Sequence, residues 1–269
     1  MSYTFGFIGC GNMGGALATA AAKTLPAGEI ILADQSADKA RALAAKLGTA
    51  SGTNETVAQN SHYLFLGVKP QMMAEMLASI APVLRARGDQ FVLVTMAAGL
   101  PIARIQEMAG YPYPVIRIMP NTPVSVGAGM ILYTASDDVT AQEKDGFTAA
   151  MAGAGVLDEL PEHLIDAGSS ISGCGPAFAD LFIEALADGG VECGLPREKA
   201  LLYATQMVLG SAKLLLESGE HPGVLKDRVC SPGGSTIAGV HALEDGAFRA
   251  TVMDAVVSAY DKTVELGKK

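Results

Sequence analysis

The chain reads as α/β followed by all-α: a doubly wound, mostly parallel sheet domain over residues 1–160, then a helical-bundle domain over residues 161–269. Three observations predict this. A glycine-patterned turn, Gly9-Cys10-Gly11-Asn12-Met13-Gly14, stands between an apolar run and an Ala-rich stretch near the head of the chain. Short apolar runs then alternate with helically spaced segments to about Leu160, and after that strand-like runs stop while helical spacing continues. Such alternation means parallel strands joined by right-handed crossovers, with helices on both faces of the sheet.

Strands are expected at 4–8, 29–33, 63–68, 91–96, 115–118 and 130–133, with helices at 38–47 and 71–84. Val68-Lys69-Pro70, Ala97-Ala98-Gly99 and Met119-Pro120-Asn121-Thr122-Pro123 each follow a strand at its carboxyl end. That edge is where an open α/β sheet binds its ligand. Further on, Phe178, Leu181, Phe182, Ala185 and Leu186 recur at helical spacing, and another helix is expected near Pro196, a residue suited to a first turn. From Ala200 to Ala212 that helix carries no charge. A helix apolar all round must be buried all round, so it is expected at the centre of a bundle. A second subunit is the simplest cover; a monomeric bundle is the alternative.

Composition narrows the class. Of 269 residues 49% are hydrophobic and only 17% charged, which suggests that surface is buried in a homo-oligomer. The net charge of −9, without a basic cluster, argues against nucleic acid or an anionic membrane as partner. Cys10, Cys174, Cys193 and Cys230 are scattered, with no C-x-x-C and no histidine at ligand spacing, so neither a metal site nor a disulfide framework is expected. The first strand begins within a few residues and no apolar run carries membrane flanks, which predicts a cytoplasmic protein.

Three clusters carry the chemistry. Between a strand and a helix, G-x-G-x-x-G reads as a dinucleotide-binding loop. Gly9 permits the sharp turn, Gly11 lets the backbone approach a pyrophosphate, and Gly14 lets helix pack on strand. The phosphates then meet the free amides of that helix's positive end, at Asn12, Met13 and Gly14. A strand–helix turn using glycine only for packing is the bland alternative. An acidic residue at the end of the second strand should hold the ribose 2′-hydroxyl; Asp34 stands there, followed by Gln35. A carboxylate repels a 2′-phosphate, which favours NADH over NADPH; alternatively Asp34 caps the next helix and Lys39 or Arg41 reaches that phosphate.

Ser172-Gly173-Cys174-Gly175-Pro176 interrupts a helical stretch and permits close approach of another chain or ligand. Cys174 reads better as a small packing residue than as a nucleophile, because no histidine lies near it in sequence. In Ser231-Pro232-Gly233-Gly234-Ser235-Thr236, glycines ahead of a helix expected from Ile237 expose amides that suit a carboxylate or phosphate, and Ser235 and Thr236 add hydroxyls. An N-cap and turn is the alternative. His62, His163, His221 and His241 show no paired spacing, and no lysine or histidine stands out as a proton donor. That fits an acceptor already positively charged, such as a protonated imine.

With these residues in view, the chain resembles pyrroline-5-carboxylate reductase almost end to end. The likeness runs through Phe7-Ile8 into the glycine loop, Val68-Lys69-Pro70, Ala97-Ala98-Gly99, Arg117-Ile118-Met119-Pro120-Asn121-Thr122-Pro123, Ser172 to Phe178, and Glu220-His221-Pro222-Gly223. Most specific is Leu225-Lys226-Asp227 leading into Ser231-Pro232-Gly233-Gly234-Ser235-Thr236. The resemblance implies a Rossmann domain, an all-helical dimerisation domain and an active site shared between two subunits, with larger rings of dimers occurring in the family. It implies NADPH or NADH as cofactor, lined by Asn54, Val68, Lys69, Pro70 and Ala97 besides the loop. It implies that Gly233, Gly234, Ser235 and Thr236 hold the substrate carboxylate, with the Thr236 hydroxyl near the ring nitrogen as the catalytic contact. The chain departs from the family pattern at Cys174 (often serine), Phe178 (often tyrosine) and Arg228 (asparagine in other members). Asp34-Gln35 stands where NADPH-preferring members tend to show Ser or Asn. Competing functions are a related imine or hydroxy-acid reductase, which would want a helix lysine such as Lys199 or Lys213, and a non-catalytic NAD(P)-binding sensor.

Overall fold

The computed structural model describes residues 2–267. Strand and helix alternate from the start: β1 (Tyr3–Ile8), α1 (Asn12–Ala21), β2 (Ile30–Ala33), α2 (Ala37–Leu47), β3 (Ala50–Ser51), α3 (Asn54–Asn60), β4 (Ser61–Leu66), α4 (Met73–Ala86), β5 (Val92–Thr95), α5 (Ile102–Ala109), β6 (Val115–Met119), β7 (Gly129–Ala135), α6 (Ala141–Met151) and β8 (Gly155–Glu159). Helices then follow alone: α7 (Glu162–Ser172), α8 (Gly175–Glu192), α9 (Arg197–Ser218), α10 (Pro222–Arg228), α11 (Ser235–Asp245) and α12 (Phe248–Gly267).

The strands form one sheet in the order β3-β2-β1-β4-β5-β6-β7-β8. β1 pairs in parallel with both β2 and β4, so the chain winds outward in opposite directions from that pair. This is the Rossmann arrangement, and the gap between β1 and β4 is its switch point. Among the described residues all strand pairs are parallel except β6 with β7. The link 120–128 holds only a short 3-10 turn, Thr122–Val126, and a parallel return needs a crossover of roughly a dozen residues or more.

Residues of the central strands are buried on both faces, as parallel sheets require. Phe5, Phe7, Tyr63 and Phe65 point to one face with Phe147, and Phe7 stacks on Phe65 at 4.2 Å between centroids. The alternate residues Ile8, Leu64 and Leu66 point to the other, against Met73, Leu77 and Ile80 of α4. Burying each such side chain contributes about 1.5–3 kcal/mol, which makes the central strands a rigid base for the loops at their carboxyl ends.

The chain divides into two compact units, one running to Cys174 together with the residues from Ala259 onward, the other Gly175–Ser258. The division thus falls after α7, later than the end of the last strand at Glu159. In the second unit α8 packs on α9 through Ala187, Ala200 and Ala204. The rest of α9 is bare: Leu202 is 57% exposed and Leu209 60%. A single chain therefore leaves uncovered the helix whose composition demands burial. Among the described residues no helix is long and apolar enough to cross a membrane.

Candidate active site

The predicted loop lies at the switch point. Gly9 has φ 102°, a backbone that a side chain resists, and a Cβ there would stand 2.4 Å from the Gly67 carbonyl oxygen. Gly14 sits beneath the loop, where a Cβ would fall 2.1 Å from the Gly9 carbonyl. Gly11 differs, since a Cβ would meet nothing within 4 Å. Its emptiness faces a cleft of about 470 Å³. No side chain caps α1 and its first turn holds no acid, so the amides of Asn12, Met13 and Gly14 have no carboxylate competing for them. A pyrophosphate fits this cradle in size and sign.

The cleft is lined by Gly9, Gly11, Asp34, Asn54, Val68 and Lys69, which the loop, the end of β2, the start of α3 and the β4–α4 connection bring together. Other expected residues stand back. Asn12 opens α1 on the exposed side, Met13 packs partly on the core, and Gly14 is buried behind the turn. Pro70 begins the 3-10 turn Pro70–Met72, and Ala97 is buried after β5 with its amide donating to Thr95 Oγ1 at 3.3 Å. Sequence reasoning missed Gln35, Gly67 and the α4 side of the cleft: Met72, Glu75, Met76 and Ser79. Met72 at the N-cap of α4 and Glu75, Met76 and Ser79 within it fall on one helix face, but that spacing does not say that the face meets the cleft. Gly67 backs directly onto the loop, its amide donating to the Ile8 carbonyl at 2.7 Å.

Asp34 follows β2 and lines the cleft. One carboxylate oxygen accepts the Cys10 amide at 2.7 Å and the other the Ser36 amide at 3.0 Å. Ser36, not Asp34, occupies the N-cap of α2. The carboxylate therefore ties the glycine loop to the strand end while leaving acceptor capacity toward the cleft. Burial, and next the charge of Asp34, push the Cys10 thiol up to about 11, with Lys39 opposing, so it stays a neutral packing group. Arg41 is engaged with Asp38 at 2.5 Å on the exposed face of α2.

The second unit presents the other cluster. Ser231-Pro232-Gly233-Gly234 closes a turn, with the Gly234 amide donating to the Ser231 carbonyl at 3.0 Å and Gly233 at φ 67°. Proline followed by a positive-φ glycine is type II turn chemistry. Gly234 is the N-cap of α11, which begins at Ser235 rather than Ile237. The Gly234 amide is thus consumed by the turn. The amides of Ser235, Thr236 and Ile237 lie in the unpaired first turn of the helix, and both hydroxyls are exposed. Just before it, Arg228 pairs through both terminal nitrogens with Glu220, and His221 Nδ1 accepts the Gly223 amide at 3.1 Å to cap α10. Lys213 pairs with Glu217 on exposed α9. Cys174 lies at the break between α7 and α8, half-buried.

Comparison with known proteins agrees with this layout. The family described as pyrroline-5-carboxylate reductase dimerisation matches residues 162–266. The family described as NADP oxidoreductase, coenzyme F420-dependent, matches residues 4–99. The pyrroline-5-carboxylate reductase of Pisum sativum is 40% identical over 267 residues, 98% of this chain and 96% of that protein. That of Escherichia coli (strain K12) is 39% identical over 272 residues and all of both chains. Among solved structures, Plasmodium falciparum pyrroline carboxylate reductase with NADP bound superposes with a TM-score of 0.87 at 32% identity, covering 98% of each chain. Identity of this order over whole chains, with the glycine loop and the 231–236 turn both in place, settles the relationship: the chain belongs to the pyrroline-5-carboxylate reductase family.

Proposed function

We propose that the protein transfers hydride from NAD(P)H to the C=N carbon of 1-pyrroline-5-carboxylate, giving L-proline in the last step of proline biosynthesis, with NADH favoured over NADPH. One observation carries this reading. A dinucleotide cleft and an unpaired, hydroxyl-bearing helix start occur together in a chain about 40% identical, end to end, to reductases of that name.

NAD(P)H, when bound, supplies the hydride from its reduced nicotinamide ring. The chain's own residues do the rest. Gly11 leaves room for the pyrophosphate, and the amides of Asn12, Met13 and Gly14 hold it at the positive end of α1. Asp34 accepts from the ribose 2′-hydroxyl and repels a 2′-phosphate, which is the ground for NADH. Asn54 lines the cofactor from the start of α3, Val68, Lys69 and Pro70 on the β4 side and Ala97 on the β5 side. The turn at Gly233 and Gly234 aims the amides of Ser235, Thr236 and Ile237 at the pyrroline carboxylate, and the Ser235 hydroxyl adds a donor. The Thr236 hydroxyl hydrogen-bonds at the ring nitrogen. A protonated C=N accepts hydride without a strong acid, so the site works by positioning, which accords with a cluster that holds no lysine or histidine.

We further take residues 161–269 as the dimerisation and substrate domain, with the 231–236 turn of one subunit serving the cleft of the other. The homodimer acts in the cytoplasm and is the unit of any larger ring. The bare apolar surface of α9 supports the dimer. Purified protein should oxidise NADH, and NADPH less well, only when pyrroline-5-carboxylate is present. No turnover with either cofactor would sink the proposal.

A further inference from the structure

Arg117 is a charged residue in the middle of a buried strand, and it needs a reason to be there. Its side chain is 3% exposed on β6, between Thr95 of β5 and Thr134 of β7 in register. Nη2 donates to Asp166 Oδ1 at 2.6 Å, and Nη1 lies 3.5 Å from Glu162 Oε1, both acids on α7. Nε has no hydrogen-bond partner among the described residues. Leaving a buried donor unmet is costly, so the guanidinium is held in place by its two acids and not by a full set of bonds.

Glu162 does more than neutralise. The same oxygen, Oε1, accepts the Ile102 amide at 2.7 Å. Ile102 is the first residue of α5, whose N-cap, Pro101, has no side chain able to cap it. Glu162 therefore caps α5 from another helix, and Arg117 orients the carboxylate that does so. The loop held this way is 96–101. On its far side Gly99 stands against Gly267 of α12, where an added Cβ would lie 3.0 Å from the Gly267 Cα. The loop is thus fixed at its exit by the Glu162 cap and crowded in its middle by the end of α12. It leaves β5 on the side of the switch point opposite β2 and Asp34, which is the side that takes the nicotinamide half of a dinucleotide.

We propose that Arg117 and Glu162 are positioning residues for hydride transfer: the Arg117–Glu162–Ile102 relay sets the 96–101 loop, and with it Ala97, against the nicotinamide end of the cleft. This rests on the assignment of Ala97 to the cofactor made above. The relay makes no hydrogen bond to the phosphate cradle among the described residues, so its loss acts on the geometry of the transfer and spares the grip on the pyrophosphate.

The test compares Glu162→Ala with Glu162→Gln in the full-length protein. Glutamine keeps an oxygen for the Ile102 amide; alanine does not. Glu162→Ala should lower kcat by about 10- to 100-fold while KM for pyrroline-5-carboxylate and Kd for NADH stay within about three-fold of wild type. Its kinetic isotope effect with 4-deuterated NADH should rise, and Glu162→Gln should restore kcat to within about three-fold of wild type. An unchanged kcat in Glu162→Ala, or equal losses in kcat, KM and Kd, would overturn the proposal. Amide hydrogen exchange at 97–102 reads the relay without activity. Faster exchange in Glu162→Ala than in Glu162→Gln upholds it, and equal exchange overturns it. A wild-type protein without turnover would defeat the proposed reaction, and exchange alone would then decide the relay.

Discussion

Replacing Asp34 by serine should move the protein from NADH toward NADPH, by an amount that the geometry sets. The carboxylate lies on the cleft wall at the end of β2, and under the proposed function its partner is the ribose 2′-position. A unit charge pair at about 4 Å interacts by about 1 kcal/mol in water and about 4 kcal/mol at a protein surface. The cleft is open, so the lower end applies, and a phosphate of about −1.5 to −2 charge doubles it to about 2 kcal/mol. NADH at the same time loses a ribose hydrogen bond worth about 1 kcal/mol. Physiological salt screens part of the total, leaving an expected 10- to 100-fold rise, in rough terms, in the ratio of kcat/KM for NADPH to that for NADH. A second effect is separable. Asp34 accepts two amides, from Cys10 and Ser36, and a serine hydroxyl cannot serve both. Loosening that tie costs about 1 kcal/mol, or about 2–4 °C in Tm, whichever cofactor is used. Steady-state rates with both cofactors and a thermal melt separate the two. A ratio within about two-fold of wild type beside a lowered Tm would mean that Asp34 only fastens the loop.

The glycines divide by what their missing side chains would meet. Gly11→Val should leave Tm nearly unchanged yet weaken NADH binding by about ten-fold or more, whereas Gly14→Ala, whose Cβ falls 2.1 Å from the Gly9 carbonyl, should cost about 1–3 kcal/mol in urea unfolding; the reverse pattern would contradict the cradle. Thr236→Ala should lower kcat/KM for the imine by about 10- to 100-fold with NADH affinity intact, and equal losses in both would make the hydroxyl structural. Co-refolding Gly11→Val with Thr236→Ala subunits should restore about a quarter of wild-type activity if sites are shared across a dimer, and none if each chain builds its own. The Cys10 thiol is held at about 11 against an ordinary value of 9.0, so between those values the unfolded chain sheds a proton that the folded one keeps, and stability falls as pH rises through that window. The slope is up to about 1.4 kcal/mol per pH unit; below the window the thiol contributes nothing, and Cys10→Ala should flatten the decline in urea midpoints.

The fold was legible where burial imposes a pattern. Phe5, Phe7, Leu64 and Leu66 alternate across a sheet covered on both faces, so the central strands stand out as apolar runs. The edges were not legible. β3 has two residues, and β8 carries Asp158 and Glu159 with Val156 62% exposed, so neither shows an apolar run. The charges of β8 discourage pairing with other chains and hide it from a reading based on hydrophobicity, while β3 is hidden by its shortness. The reversal at β7 depends on the length of the link 120–128, a property of connection and not of strand composition.

The site divides along the same line. Glycine pattern and strand ends locate Gly9, Gly11 and Asp34, because each answers a local backbone demand. Met72, Glu75, Met76 and Ser79 share a helix face, yet only tertiary packing tells which face of α4 meets the cleft. The Glu162 cap on α5 joins residues sixty positions apart and has no local mark. In the 231–236 segment the glycines were legible as a turn, but the use of the Gly234 amide to close that turn depends on its bond to Ser231. The assignment of free donors therefore moves one residue onward, to Ser235, Thr236 and Ile237.

Hydride transfer to the imine carbon can be read directly. The wild-type protein is incubated with pyrroline-5-carboxylate and NADH deuterated in turn on each face of the reduced C4, and the product is analysed by mass spectrometry and NMR. Proline carrying one deuterium at C5, from one of the two labelled cofactors and not the other, is the expected result. Proline without deuterium from either cofactor, or labelled cofactor consumed with no proline formed, would contradict hydride delivery from this cleft to the pyrroline ring.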